Sequence, residues 1–457
     1  MRRWALLLGM TVILSALGAG VAAAQAVTKV TRYNIDTPKK FYIKYTGVNQ
    51  ADFSEGFLPG FGSGICLKAL NKDGSIEFYG ITDRGPNGDG PNYETGTQRS
   101  SAKFFLSPDF QPEIGIIRLA GDKAELLSTI GLKTTAGQKV TGLPIPPGAV
   151  GSTNEIALAE TMTNLGYDDN GLDTEGISLD PQGNFWVCDE YGPFIMQFNK
   201  QGKMLKKFAP GDGLPEILAK RVPNRGFEGI TVTPNGTVYG IIQSPLDIDG
   251  DGASGKTARF TRLVKIDPQT GKTAMYAYPI DVEAYKKPKD AKVGDLCAIS
   301  DTKLLVIEQG TDKDKKLRNV IYQLDVSQAT DITDLKIYDQ DLEFIADPAK
   351  LAPIKFVEKK LICDLRANGW QPEKAEGLAL LPDKKTLVVT NDNDFGISVK
   401  VEDLAHPKAA VDKYTLLADG SFVYKDQPAQ PHFSIVPNDE TERSSQLWLI
   451  ELAEPLN

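Results

Sequence analysis

One pattern recurs along this chain and restricts what it can fold into. Asp173-Thr174-Glu175-Gly176-Ile177 leads through Pro181-Gln182-Gly183 to Phe185-Trp186-Val187-Cys188-Asp189-Glu190. The same strand, turn, strand order runs from Glu228-Gly229-Ile230 past Asn235-Gly236 to Gln243. It returns from Asp295 past Asp301 to Glu308, and from Glu376-Gly377 past Asp383 to Asn391. A degenerate copy links Ser63-Gly64-Ile65, Asp73-Gly74 and Asp83-Arg84. Each half is short, rich in β-branched residues and bounded by Pro, Asn, Asp or Gly, as hairpins require. One hairpin pattern repeated along a chain indicates an all-β propeller, in which a single supersecondary unit is copied around an axis. The copies plus a closing blade favour six blades, with five or seven compatible. Ser445–Leu452 and strands near Val27–Tyr45 are expected to share the last blade and so join the termini. Outer strands are expected at Ile114–Leu119 and from Ala124, with short helices at Pro215–Arg221 and Asp341–Ala346.

Reflecting each copy about its turn pairs Glu175 with Glu190, Glu228 with Gln243, Asp295 with Glu308, Glu376 with Asn391 and Ser63 with Arg84. Opposed residues on antiparallel strands have Cβ atoms about 5 Å apart. Rotation then gathers Glu175, Glu190, Glu228, Asp295, Glu308 and Glu376 at one channel mouth, with Gln243, Asn391, Asp392, Asn393, Asp394, Asp83 and Arg84 among them. Crowded like charges need protons, cations or basic groups. An oxygen-only donor set suits Ca²⁺ or Mg²⁺, and Ca²⁺ is the expected cofactor. Arg84 and Arg225 are the candidate phosphate-binding forks. A second cation loop is expected at Asp247-Ile248-Asp249-Gly250-Asp251-Gly252, although Ala258 replaces the glutamate that would complete an EF-hand.

Other chemistries are excluded by what the chain lacks. It has two histidines, His406 and His432, and no Gly-x-Ser-x-Gly elbow or phosphate-binding loop. Cys66, Cys188, Cys297 and Cys363 are widely spaced, which rules out a zinc ribbon and leaves disulfides or buried thiols open. A net charge of -9 argues against a nucleic-acid partner. Met1-Arg2-Arg3, the apolar run Trp4–Ala23 and small residues to Ala26 read as a cleavable secretory signal over residues 1–26. Residues 27–457 then form the exported domain, in the periplasm or the medium, with no membrane contact after cleavage and a monomeric chain expected.

The segments Asp173–Ile177, Trp186–Pro193 and Asn224–Ile230 resemble the phytase-like family, which is described by an esterase-like activity. The resemblance covers about Gly47 to Leu452. It implies hydrolysis of a small-molecule phosphoester by a carboxylate-bearing propeller, with Glu175, Glu190 and Glu228 as catalytic residues. Asp295, lacking a following glycine, departs from the family pattern. Cation ligands are expected among Glu175, Glu228, Asp295, Glu308 and Glu376, and substrate contacts at Arg84, Arg225, Gln243 and Asn391. Two rivals remain: a calcium-dependent lactonase or carboxyl esterase using Glu175, Asn391 and Asp392, and an exported binding propeller without catalysis.

Overall fold

The computed structural model describes residues 24–457; most of the secretory-signal reading therefore lies outside the described residues. Five four-stranded units stand around an axis. The first pairs Gly64–Leu70, Ile76–Ile81, Glu113–Ala120 and Lys123–Gly131. The second pairs Thr174–Leu179, Phe185–Asp189, Phe194–Phe198 and Met204–Pro210. The third pairs Phe227–Val232, Val238–Ile242, Phe260–Ile266 and Thr273–Pro279. The fourth pairs Lys292–Ala298, Lys303–Thr311, Leu317–Asp325 and Glu358–Asp364. The fifth pairs Gly377–Leu380, Thr386–Thr390 and Gln446–Leu452, with Val27–Asp36 as its outermost strand. The favoured count of six is thus one more than the units found among the described residues. The joining of the two ends of the chain in the last blade is as expected. Short 3₁₀ turns at Glu216–Lys220 and Leu342–Phe344 fall where helix was expected.

The first strand of each unit faces the axis, and glycines set how closely these strands approach. A Cβ on Gly64 would lie 2.8 Å from the Gly176 Cα, and one on Gly176 would lie 3.0 Å from the Ile230 nitrogen. Beyond these, Gly229 abuts the Gly294 carbonyl, Gly294 abuts Ala375, and Gly377 abuts the Ile65 nitrogen, which closes the ring. The glycine of each copy therefore admits the neighbouring backbone. In the fourth blade Gly294, before Asp295, takes that place. Between blades the faces are apolar: Trp186, Ile195, Phe227, Val264 and Met275 pack between the second and third, and Leu305, Ile362, Leu387 and Trp448 between the fourth and fifth.

Three long insertions gather at the end of the axis opposite the hairpin turns. Asn87–Asp89, Ala102–Phe105 and Ile156–Leu158 form a small sheet. Ile397–Glu402 pairs with His432–Pro437, and Tyr414–Leu416 pairs with Asn92–Thr95. Tyr45, Phe53, Phe57, Ile397 and Ile435 give this side its own apolar cluster. All four cysteines are free thiols, Cys188 and Cys363 buried as one of the two readings had it and Cys66 and Cys297 only half-buried.

Candidate functional site

The acidic residues reach the axis through β-bulges. In the second blade Thr174 pairs with Asp189 and Gly176 with Cys188, so Glu175 is the extra residue. In the third, Phe227 pairs with Ile242 and Gly229 with Ile241, so Glu228 is extra. A bulge bends its strand and re-aims one side chain. Here it turns both glutamates toward the mouth instead of opposing them to Glu190 and Gln243. Glu190 follows the second strand, its amide donating to the Asp173 carbonyl at 2.8 Å. Glu376 precedes the fifth blade's first strand, its amide donating to the Thr390 carbonyl at 3.0 Å.

Two carboxylate triads result, sharing Glu175. Oxygens of Asp173, Glu175 and Glu190 lie within 4.8 Å of one another, as do those of Glu175, Glu228 and Glu376. All five residues are buried. The Arg84 guanidinium enters the first triad, with Nη2 at 2.6 Å from Asp173 and 3.4 Å from Glu190, and Nη1 at 3.1 Å from Glu155. Gln243 donates its amide to Glu190 Oε1 at 3.2 Å. Beside the second triad, the Lys374 ammonium sits on Asp392 and, at 2.9 Å, on Asp394. Glu228 Oε2 and Gln243 Oε1 are buried without a hydrogen-bond partner.

Burial dominates the electrostatics. It pushes the Glu175 carboxyl well above the ordinary range, and the charges of Asp173, Glu228, Glu190 and Glu376 push it further. Glu190 is raised by burial and by Asp173 and Glu228, with Arg84 opposing. Burial raises Glu376 against the opposing pull of Lys374. Glu228 is pushed up to about 7 by burial, tempered by Gln243, Lys292 and Lys374. For Lys374, burial works to lower the pKa, but Asp392, Asp394 and Glu376 outweigh it and hold the ammonium charged.

Several expected site residues lie elsewhere. Asp295 is in a bulge and does not oppose Glu308, because Val293 does. Its carboxylate accepts the amides of Ile230, Leu296 and Leu378 at 3.3, 2.8 and 3.2 Å, tying three blades at the axis. Glu308 points into the interface between the third and fourth blades, where Tyr278, Arg318 and Lys359 surround it. The Asn391 amide is fixed by backbone: Oδ1 accepts the Gln446 amide at 2.6 Å and Nδ2 donates to the Ser444 carbonyl. Arg84, only 7% exposed, is held among carboxylates of the ring and does not face outward. The Asp247 and Asp251 carboxylates accept amides of their own loop, at Gly252 and Ala253, and neither converging group contains Asp247, Asp249 or Asp251.

Arg225 stands outside the ring and donates to the Lys289 carbonyl at 2.6 Å. With Lys286, Lys292, Lys374 and Glu376 it lines a cleft of about 570 Å³ that opens beside the second triad. A larger cavity of about 660 Å³, by Leu214–Ile217 and Asp334–Lys336, contains none of the ring carboxylates. The sequence reading missed Asp173 as a ring member, Glu155 and Lys292. Asp173 stands two residues before Glu175, so the motif itself carried that signal. Glu155 lies outside the repeat, in an irregular stretch with no periodicity to mark it.

Comparison with known proteins adds the family. A secreted, uncharacterized protein of Arthroderma benhamiae is 29% identical over 284 residues, covering 50% of this chain and 52% of that protein. The chain thus spans about half the length of this curated relative. Among solved structures, a protein from Lactobacillus plantarum matches 92% of this chain and 98% of its own at 12% identity, with a TM-score of 0.34. A luciferin-regenerating enzyme matches 88% and 95% at 10% identity, with a TM-score of 0.35. Among the described residues no helix is long and apolar enough to cross a membrane. The profile of the phytase-like family, described as esterase-like activity of phytase, matches residues 60–395, and the chain belongs to that family.

Proposed function

We propose that this protein is an exported, cation-dependent hydrolase of phosphoesters, acting at the mouth where the two triads meet the basic cleft. The observation that carries this reading is the Glu175–Glu228–Glu376 triad: three buried carboxylates converge, and Glu228 Oε2 has no donor. Hard oxygen donors with an orphaned lone pair fit Ca²⁺, and nitrogen and sulfur ligands are missing from the group. Glu175, Glu228 and Glu376 would hold the ion. When bound, such a cation neutralises phosphate charge and acidifies a coordinated water.

The chain's own groups supply the rest. Arg225, Lys292 and Lys374 line the adjoining cleft and would hold phosphate oxygens, Arg225 through its planar fork. Glu190 would accept the proton of the attacking water. Burial and the neighbouring Asp173 and Glu228 raise its proton affinity, which makes it a stronger base than a free carboxylate. Gln243 and Arg84 fix its two oxygens. Asp392 and Asp394 keep Lys374 charged and directed along the cleft wall.

The test is hydrolysis of phosphomonoesters, phosphodiesters, phytate and lactones by the mature protein, with and without Ca²⁺, alongside Glu190→Gln. Cation-dependent phosphoester turnover that falls about 10²–10⁴-fold in the variant is expected. A preference for lactones would favour the carbonyl-directed esterase. Calcium binding without turnover of any ester would make the protein a binding propeller and defeat the proposal.

A further inference from the structure

The two triads share Glu175 but differ in one respect. The first already has a cation within it. Arg84 reaches Asp173, Glu190 and Glu155 through three ion pairs of 2.6, 3.4 and 3.1 Å. Its guanidinium carbon lies 5.1 Å from the centre of the Tyr191 ring, and Tyr191 itself is fully buried. The second triad has no such occupant. Among the described residues Glu175, Glu228 and Glu376 form no ion pair, and Lys374 directs its ammonium to Asp392 and Asp394. Glu228, 4% exposed, keeps one carboxylate oxygen without any donor.

Resting on the cation reading above, we infer that the ring takes one divalent cation, between Glu175, Glu228 and Glu376, and that Arg84 is a built-in cation filling the place of a second. A guanidinium is permanently charged, and its planar donors match carboxylate oxygens. A divalent ion placed in the first triad would stand within a few Å of that charge, in a site with little water to screen it. No member of the second triad is paired with Arg84, whose partners are Glu155, Asp173 and Glu190, and that triad stays open to an ion. Arg84 thereby sets how many ions the mouth holds. Without it, Glu155, Asp173, Glu175 and Glu190 would be four acids with no counter-charge, a second site of the same hard-oxygen chemistry.

The number of ions in the ring is a measurable difference. Calcium bound per chain is counted by calorimetric titration and by metal analysis of the full mature chain. The same count on Glu175→Ala, which breaks both triads, is subtracted, so ions bound elsewhere cancel. The expected difference is one ion for the natural sequence and two for Arg84→Gln. Arg84→Lys, which keeps the charge, should stay at one, and it decides the matter if Arg84→Gln does not fold. Two ions in the natural sequence or in Arg84→Lys, or one in a folded Arg84→Gln, overturns the inference. No difference between the natural sequence and Glu175→Ala would overturn the cation reading on which it rests.

Discussion

Two buried acidic clusters in this molecule had opposite fates. In the interface between the third and fourth blades, Glu308 receives Tyr278 and Lys359 on one oxygen, both at 2.7 Å, and Arg318 on the other at 3.0 Å. Asp281 adds a second carboxylate against the same two cations. At the mouth, Glu175, Glu228 and Glu376 are also buried, though less completely than Glu308, and among the described residues they form no ion pair. A buried charge is tolerated when partners and hydrogen bonds replace its water. The Glu308 cluster meets that condition within its own chain and therefore acts as a clamp between blades. The open triad does not, so it retains protons or takes up an external ion. The lesson is that carboxylate burial alone does not mark a site; the missing counter-charge does.

The largest expected effect separates the two clusters by stability. Arg318→Met leaves Glu308 and Asp281 short of a partner and should cost about 3–5 kcal/mol in urea unfolding. Glu175→Gln should act in the other direction in metal-free protein, raising the unfolding midpoint because a neutral amide need not take up a proton on folding, while abolishing cation-dependent turnover. Equal destabilisation by both variants would erase the distinction.

A smaller effect concerns pH. The folded pKa of Glu228, about 7, lies above its ordinary 4.5, and Glu175, Glu190 and Glu376 are shifted the same way. The folded chain therefore holds protons that the unfolded chain releases. The associated stability is complete below about pH 4.5 and is lost as pH rises through about 7. The melting temperature of metal-free protein should fall between pH 5 and pH 8, and excess Ca²⁺ should flatten that slope. A melting temperature rising over that interval without metal would contradict the unpaired state of the triad.

The smallest effect is expected at the surface loop. Asp249 is exposed and shares no ligand group with Asp247 or Asp251. Asp249→Asn should change stability by less than about 0.5 kcal/mol and leave the calcium count unchanged. Loss of a bound ion in that variant would restore the loop as a cation site.

The blades were legible because turn residues recur at matching places in the hairpins and a Glu-Gly step opens three of them. The ring was legible only in part, because reflection about a turn assumes equal strand lengths. The bulges at Glu175, Glu228 and Asp295 each break that equality. One extra residue kept two glutamates in the mouth, gave Asp295 to backbone amides, and left Glu308 opposite Val293 and facing a neighbouring blade. Asn391 matched the polar pattern, yet holding Gln446 and Ser444 in place requires an amide just as well as binding a ligand does. The positions of Arg84 and Glu155 depend on insertions whose packing is long-range, and no local periodicity reports that.

The strand Gln446–Leu452 lies between Thr386–Thr390 and Val27–Asp36. Val27–Asp36 also touches the first blade, through Ile35 and Asp36 beside Ala124 and Glu125. During synthesis the earliest strand therefore waits, with most of its backbone hydrogen bonds unmade, until more than four hundred further residues have emerged. Such distant pairing is slow to form and keeps the seam between first and last blades open until the end. A chain arrested before Gln446 stays unlatched, with its first and last blades unjoined.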